Sequence, residues 1–446
     1  MIEQLRAEMR EQSAHGIARA VAVLASRGDI SAGERLPTVR EVARRLGMSS
    51  STVGEAWRSL AVQGVLDTQG RRGTFLRHSL GDHPVRHFRH IHEAPVHVDL
   101  STGYPDPDLL LDLRPFIREL AAGPAYRGYP EVGLHETLRE RLSATLPFEP
   151  RALILGTDAL LTVAELLPIL TRYGDRVVVG AAEFAPYLDL LERHGVDPVP
   201  VPQDGDGLEL EAVRAAVLAG AALVLLQPRV HNPTGRVISQ ERLERIAAAC
   251  RESDTYILEV DHFGWLASSP AMSAMDTAPD QTIHLRSFAK DVHPDLRVCA
   301  VAGPSTVLDR LHERRIGGNW ISGVNQRLLS AVLASPTVRQ VIGRSKAVYD
   351  GRRSVFISAL AAHDVVVQSR DGFNVWIPVR SEESALIYLA SRGIGAAPGS
   401  PFAVSPDAPP HIRVSIAQMR DGHAGLAETI AEASRIRRLG THGSRG

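Results

Sequence analysis

Seven short apolar runs govern what this 446-residue chain can fold into: "RALILG", "DRVVVGA", "DPVPVP", "ALVLLQP", "TYILEVD", "TIHLRSF" and "RVCAVAG". Helical stretches at 158–171, 185–194 and 238–252 separate several of them. Strands that are apolar throughout are buried on both faces, and the helices between them supply the crossovers of a mainly parallel sheet. This implies an α/β domain over 98–335. Helix, strand, strand, helix, strand then follow in a smaller α+β part over 336–437.

The first 76 residues have a different rhythm. Residues 13–30 repeat with helical spacing, with Ile17, Val21 and Leu24 on one side. Pro37–Thr38 is a helix-start signal, and Val39, Val42, Ala43 and Leu46 recur until Gly47 stops them. Ser49, Ser50 and Ser51 are cap candidates for another helix, with Val53, Ala56, Trp57 and Leu60 inward. "GVLDTQGRRGTFL" reads as two short strands around a glycine-bounded turn. The order is that of a winged helix-turn-helix, a mostly α domain at 1–76.

Charge supports a nucleic-acid partner for that module. The whole chain has a net charge of −1, yet over residues 1–90 arginines exceed acidic residues by five. A helix-turn-helix lays its second helix in the major groove while phosphate contacts hold the register. Arg35, Arg40, Arg44 and Arg45 precede that helix, Ser49, Ser50, Ser51 and Thr52 form its tip, and Arg71 and Arg72 lie on the wing. Any one arginine alone is an ordinary solvated charge. In this pattern they point to double-stranded DNA.

Other features exclude classes. Two cysteines, Cys250 and Cys299, cannot build a disulfide framework. No apolar run approaches the ~20 residues of a membrane span, and the N-terminus has no apolar signal core. The expectation is a cytoplasmic protein. Residues 77–97 hold His78, His83, His87, His90, His92 and His97 without metal-ligand spacing, so they read as a linker and no metal is expected. Residues 438–446 read as a flexible tail.

Lysine usage is the sharpest chemical signal. Of 50 Lys plus Arg, only Lys290 and Lys346 are lysine. A guanidinium stays protonated, whereas a lysine amine can be made neutral and attack a carbonyl. Lys290 follows an apolar strand, which makes it a Schiff-base candidate. Arg297 lies seven residues on, beyond a proline turn, where it could pair with a phosphate. "HNPTG" presents Asn232, and "ILEVDHF" delivers Glu259 and Asp261 at a strand end. Ligands of parallel sheets gather at such carboxyl ends.

These residues carry two resemblances. "GERLPTVREVARRLGMSSSTVGEAWRSLAVQGVLDTQGRRGTFL" resembles the winged-helix module of GntR-type regulators, with Ser50 where an arginine is usual. "SFAKDVHPDLRV", "NPTG", "YGDRVVV", "AYRGYPEVGLHETLRE" and "HIRVSIA" resemble, in order, the blocks of fold-type-I pyridoxal-phosphate-dependent aminotransferases over about 98–435. The two joined resemble MocR-type regulators. The resemblance implies that Lys290 binds pyridoxal 5′-phosphate, Arg297 its phosphate and Asn232 its phenolic oxygen. It also implies Phe184 stacked on the ring, Arg413 receiving an effector carboxylate, and Tyr129 (or else Tyr126) reaching a neighbouring subunit's phosphate in a homodimer.

Three departures bear on function. Ala289 replaces a phosphate-holding serine, and Asp158 stands where a glycine normally admits phosphate. With Glu259 aligned to the family's E-D-D-x-[YF], Val260 falls on the aspartate that meets the pyridine nitrogen, and Phe263 falls on the tyrosine. A shift of one residue puts Asp261 there instead. Alternation lets only one of the two face the ligand, and only Asp261 has the suitable chemistry. The expected function is a transcription regulator that binds pyridoxal phosphate, with an amine or amino acid as candidate effector, and adjusts its hold on DNA. A working aminotransferase with an accessory DNA-binding domain, and a regulator without the cofactor, are the alternatives.

Overall fold

Capping chemistry sets the helix ends of the N-terminal part. Thr38 accepts a hydrogen bond from Glu41 N at 3.3 Å to open α3 (Val39–Leu46), after α1 (Ile2–Glu8) and α2 (Ala14–Arg27). Gly47, at φ 72°, closes α3 in the left-handed conformation that glycine adopts without strain. Ser49 Oγ then accepts from Thr52 N at 3.0 Å, and α4 (Ser50–Val62) begins. In the computed structural model the described residues are 1–9, 11–27, 29–31, 33–62, 65–68, 73–76, 96–123, 134–315 and 321–437. The chain divides into two units, one of Met1–Arg86 with Thr171–Val177 and Leu188–Pro198, the other of the remainder.

In the first unit the four inward positions of α4, Val53, Ala56, Trp57 and Leu60, are all buried, together with Val42, Ala43 and Leu46 of α3. Strands β1 (Arg35–Leu36), β2 (Leu66–Thr68) and β3 (Thr74–Leu76) form an antiparallel sheet in the order β1-β3-β2. The hairpin was legible in the sequence. β1 and α1 were not, because a two-residue strand and a helix marked only by Ile2 and Leu5 leave almost no periodic signal.

From residue 98 the chain forms β4 (Val98–Asp99), α5 (Arg114–Ala122) and α6 (Glu136–Ser143). It continues through β5 (Ala152–Gly156), α7 (Ala159–Leu170), β6 (Arg176–Gly180), α8 (Ala185–His194) and β7 (Asp197–Val201). After the small pair β8 (Gln203–Asp204) and β9 (Gly207–Leu208) come α9 (Leu210–Leu218), β10 (Leu223–Leu226), α10 (Gln240–Arg251) and β11 (Tyr256–Asp261). β12 (Thr282–Ser287), β13 (Cys299–Gly303) and α11 (Ser305–Arg314) complete this part. The seven apolar runs of the sequence are the seven strands of one sheet, in the order β5-β13-β12-β11-β10-β6-β7.

That sheet is mixed, for a reason of chain length. β10, β11 and β12 pair in parallel. The connection 288–298 has no α-helix, and a parallel return needs a crossover of about a dozen residues or more. β13 therefore runs antiparallel to both β12 and β5. In consequence Ser287, Cys299 and Gly156 stand in register across three adjacent strand ends.

The remaining chain forms α12 (Gly323–Ala334), the long α13 (Pro336–Ala361), β14 (Asn374–Pro378), α14 (Glu382–Ser391), β15 (Ile394–Gly395), β16 (Ala397–Pro398), β17 (His411–Ser415) and α15 (His423–Arg435). β17 is the centre of an antiparallel sheet β14-β17-β16, and β15 pairs with β4. Val375, Ile377, Ile412 and Val414 bury this sheet against α13 and α15 residues such as Phe356, Leu360 and Ile430. Among the described residues no helix is long and apolar enough to cross a membrane, and no group of three or more His, Cys, Asp or Glu side chains is placed to hold a metal.

Candidate functional site

Lys290 lies just past the end of β12. Its Nζ is 3.4 Å from the carbonyl oxygen of Gly103 and sits over the rings of Phe263 and Phe373, at 5.1 Å and 4.9 Å from their centroids. Burial, and then the positive charge of Arg413, push its amine down to about 7. Lysines in such surroundings are partly neutral at physiological pH and can act as nucleophiles.

Arg413, on β17, is 1% exposed and faces the same space. It donates to Ser101 O at 2.5 Å and to Asn232 Oδ1 at 3.4 Å, with its guanidinium 4.9 Å from the Phe402 ring centroid. Asn374 of β14 also donates to Asn232 Oδ1, at 3.3 Å, while its own buried Oδ1 has no hydrogen-bond partner among the described residues. Asn232 N donates to Gln227 Oε1 at 3.2 Å, and Gln227 in turn donates to Glu183, whose carboxylate also accepts from Phe184 N at 2.7 Å. Phe184, at the start of α8, stands edge-on to Tyr187 at 5.2 Å. One connected polar chain therefore joins Arg413, Asn232 and Phe184.

Alternation along β11 decides between positions 260 and 261. Ile257 packs with Val224, Leu226 and Ile246 on one face of the sheet. Glu259 follows on that face, accepting from Ser273 Oγ at 2.5 Å, Ala274 N at 2.7 Å and His284 at 2.8 Å. Asp261 shares the same face. Its carboxylate pairs with the buried Arg229 and accepts from Gly264 N at 3.1 Å. Burial would raise its pKa, but the Arg229 and Arg286 guanidiniums outweigh burial and hold it ionised. The Asp261 carboxylate is therefore already engaged by Arg229. By alternation Val260 points to the opposite face of the strand. The imidazole of His262 is held neutral, down to about 3, by burial and then by the Lys290 charge.

The in-register strand ends bring a second group together. Arg297 precedes Cys299 by two residues, and Asp158 follows Gly156 by two. Arg297 donates to Asp158 Oδ2 at 2.5 Å. Asp158 Oδ1 accepts from Leu161 N at 2.9 Å, so the same carboxylate caps α7. Ala289 contributes only its N–H, donated to Ser287 Oγ at 3.4 Å.

In the first unit, Arg35, Arg40, Ser49, Ser50 and Ser51 are exposed and Thr52 is half-buried. The Ser49 hydroxyl is 2.6 Å from that of Ser51 and 2.8 Å from that of Thr52. Arg45 is drawn to Glu3 of α1 at 4.0 Å. Arg71, Arg72, Tyr126, Tyr129, the linker from 77 to 95 and the tail 438–446 lie outside the described residues. Ser101, Gly103, Gln227, Glu183 and Asn374 were not singled out in the sequence. Backbone carbonyls have no sequence signature, and the three polar side chains acquire meaning only through Asn232.

Residues 95–425 match the family "Aminotransferase class I and II", and residues 14–76 match "Bacterial regulatory proteins, gntR family". The chain belongs to the MocR-type regulators. This MocR-type chain is similar to the vitamin B6 salvage pathway transcriptional repressor PtsJ of Salmonella typhimurium, at 31% identity, covering 91% of this chain and 95% of that protein. It is also similar to the pyridoxine biosynthesis transcriptional regulator PdxR of Corynebacterium glutamicum, at 28% identity over 74% of this chain and 75% of that one.

The fold is shared with solved aminotransferases. Pyrococcus horikoshii kynurenine aminotransferase matches with a TM-score of 0.68 and 19% identity, covering 77% of this chain and 93% of that one. Thermus thermophilus α-aminoadipate aminotransferase, complexed with N-(5′-phosphopyridoxyl)-L-leucine, matches with a TM-score of 0.66 and 20% identity, covering 75% and 91%. Aminotransferases of this fold are pyridoxal-phosphate-dependent.

The residues of the MocR-type site fit the two ends of that cofactor differently. The aldehyde and ring end fits, because it offers a partly neutral amine, the Asn232 side chain and a buried Asn374 Oδ1 with no partner among the described residues. The phosphate end does not. A carboxylate already holds both the arginine and the helix N-terminus there.

Proposed function

We propose that this MocR-type chain is a DNA-binding transcription regulator whose aminotransferase-like domain captures a pyridoxal-type aldehyde on Lys290. Pyridoxal 5′-phosphate is the cofactor of the family, and an amine or amino acid is the candidate effector. The observation that carries the reading is Lys290 itself, a lysine retained in an arginine-rich chain and held with its amine near neutrality beside Arg413 and Asn232. Arg413 is the group suited to an effector carboxylate, since guanidinium–carboxylate pairs are planar and bidentate. Val260 and the neutral His262 at the end of β11 provide no carboxylate to keep a pyridine nitrogen protonated, which favours holding the ligand over turnover.

Two measurements test this. The rate at which Lys290 captures pyridoxal phosphate should climb with pH as the amine loses its proton, by about tenfold per unit well below pH 7, and level off above it. Stopped-flow absorbance across pH 5–9 reads this directly; a rate still rising steeply at pH 9 would mean an ordinary lysine. For DNA, a mobility-shift titration on the chain's own promoter region should show affinity falling steeply with salt. Arg40→Ala should lower the slope of log affinity against log salt by about 1, because one phosphate contact is lost. An unaltered slope places Arg40 away from the DNA.

A further inference from the structure

The register at one end of the central sheet places a charged pair just beyond strand ends that lie at the same sheet end from which Lys290 departs. Ser287, Cys299 and Gly156 are aligned across β12, β13 and β5. Lys290 follows Ser287 by three residues, Arg297 precedes Cys299 by two, and Asp158 follows Gly156 by two. A helix N-terminus with an arginine facing it is, by its free N–H groups and charge, an anion site. In this chain the anion is supplied by the protein. Asp158 Oδ2 takes Arg297 at 2.5 Å and Oδ1 takes the N–H of Leu161 at 2.9 Å.

The two partners differ in exposure. The Asp158 side chain is 7% exposed and that of Arg297 is 57% exposed. The carboxylate therefore sits inside, against the first turn of α7, and the guanidinium folds over it from solvent. A phosphate dianion arriving here would meet a carboxylate of like charge, and it would have to displace that carboxylate from both donors. A neutral hydroxymethyl group would meet neither obstacle, and could donate a hydrogen bond to the same carboxylate.

We infer that Asp158 is a charge filter that sets the Lys290 site towards the unphosphorylated pyridine aldehyde and against its phosphate ester. This rests on the reading of Lys290 as the aldehyde-capturing amine. In that step the neutral Nζ attacks the aldehyde carbon, a C=N bond replaces C=O, and the oxygen leaves as water with the two amine protons. No oxidant or further reactant is required. Pyridoxal and pyridoxal 5′-phosphate share this chemistry and differ only in the group that reaches Asp158.

The test titrates the full-length chain with pyridoxal and with pyridoxal 5′-phosphate, reading visible absorbance, for the natural protein, Asp158→Asn and Asp158→Gly. Asparagine keeps an oxygen to cap α7 and removes only the charge. Thermal unfolding of each variant shows that it is folded. Free pyridoxal exists partly as a cyclic hemiacetal, which enters every protein's titration equally, so the ratio of the two affinities is compared between proteins. The expected result is a shift of that ratio by tenfold or more towards the phosphate ester in Asp158→Asn, and a shift in the same direction in Asp158→Gly. A ratio that Asp158→Asn leaves within threefold overturns the filter while leaving aldehyde capture intact. Absence of absorbance with both aldehydes overturns the filter together with the reading of Lys290.

Discussion

Replacing Lys290 with alanine is expected to abolish the visible absorbance that either pyridoxal or pyridoxal 5′-phosphate induces in the natural protein, a loss of essentially the whole signal. The amine lies over the Phe263 and Phe373 rings, and it is the primary amine described there. The substitution should cost the fold little. The residue as a whole is half-buried, and the hydrogen bond of its amine, to Gly103 O, is long at 3.4 Å. Removing a charge that burial disfavours can even stabilise the site. Lys290→Arg is the complementary variant, since it keeps the charge and should remain equally silent because a guanidinium does not deprotonate. A Lys290→Ala protein that still developed the absorbance would place the capture elsewhere, Lys346 being the other lysine.

Asp261→Ala should have the largest effect on stability. It strips the partner from Arg229, whose side chain is 7% exposed, and leaves a guanidinium buried without its counter-ion. Breaking such a pair from one side costs about 3–5 kcal/mol. A fall of that size in the free energy of unfolding, measured by denaturant titration, is the expected outcome. The pH dependence has a definite sign. The native Asp261 pKa is depressed, so its contribution is complete above the ordinary carboxylate range near 4 and is lost as pH falls below it. Asp261→Asn should soften the loss, because an amide oxygen can still accept from Arg229. Where it is folded, Asp261→Asn should capture aldehyde much as the natural protein does, since the described partners of Asp261 are Arg229 and Gly264 and not Lys290. Loss of capture in a folded Asp261→Asn protein would return the residue to the ligand.

The two effects differ in kind although both residues stand at strand ends in the same sheet. Lys290 is chemically irreplaceable but structurally light. Asp261 holds a buried charge and makes no described contact with the lysine. Their surroundings separate them: Asp261 ends β11 against Arg229 and Arg286, whereas Lys290 follows β12 over the Phe263 and Phe373 rings.

Much of this was written in the chain's patterning. The seven apolar runs became the seven strands of one sheet, because continuous burial leaves an unmistakable local mark. Thr38, Gly47 and Ser49 bounded the helices they were expected to bound, since capping depends on nearest neighbours in sequence. Lys290, Asn232, Arg297 and Arg413 could be named from residue chemistry and motif order. Short-range rules reach that far. They did not reach β1 or α1, which are held by packing against distant residues.

Tertiary structure decided what those residues do to one another. The antiparallel turn of β13 follows from a connection too short for a crossover, and that turn alone brings Arg297 opposite Asp158. The sequence named Asp158 as an unhelpful charge, but only the fold shows it capping α7 and occupying the arginine. Sequence left the choice between Val260 and Asp261 to the alignment register, with only Asp261 having the suitable chemistry. In the fold Arg229, from a loop 32 residues away in the chain, engages the Asp261 carboxylate. Local chemistry and spacing determined which groups this protein has to work with. Long-range pairing of strands and charges determined which of them are free to meet a ligand.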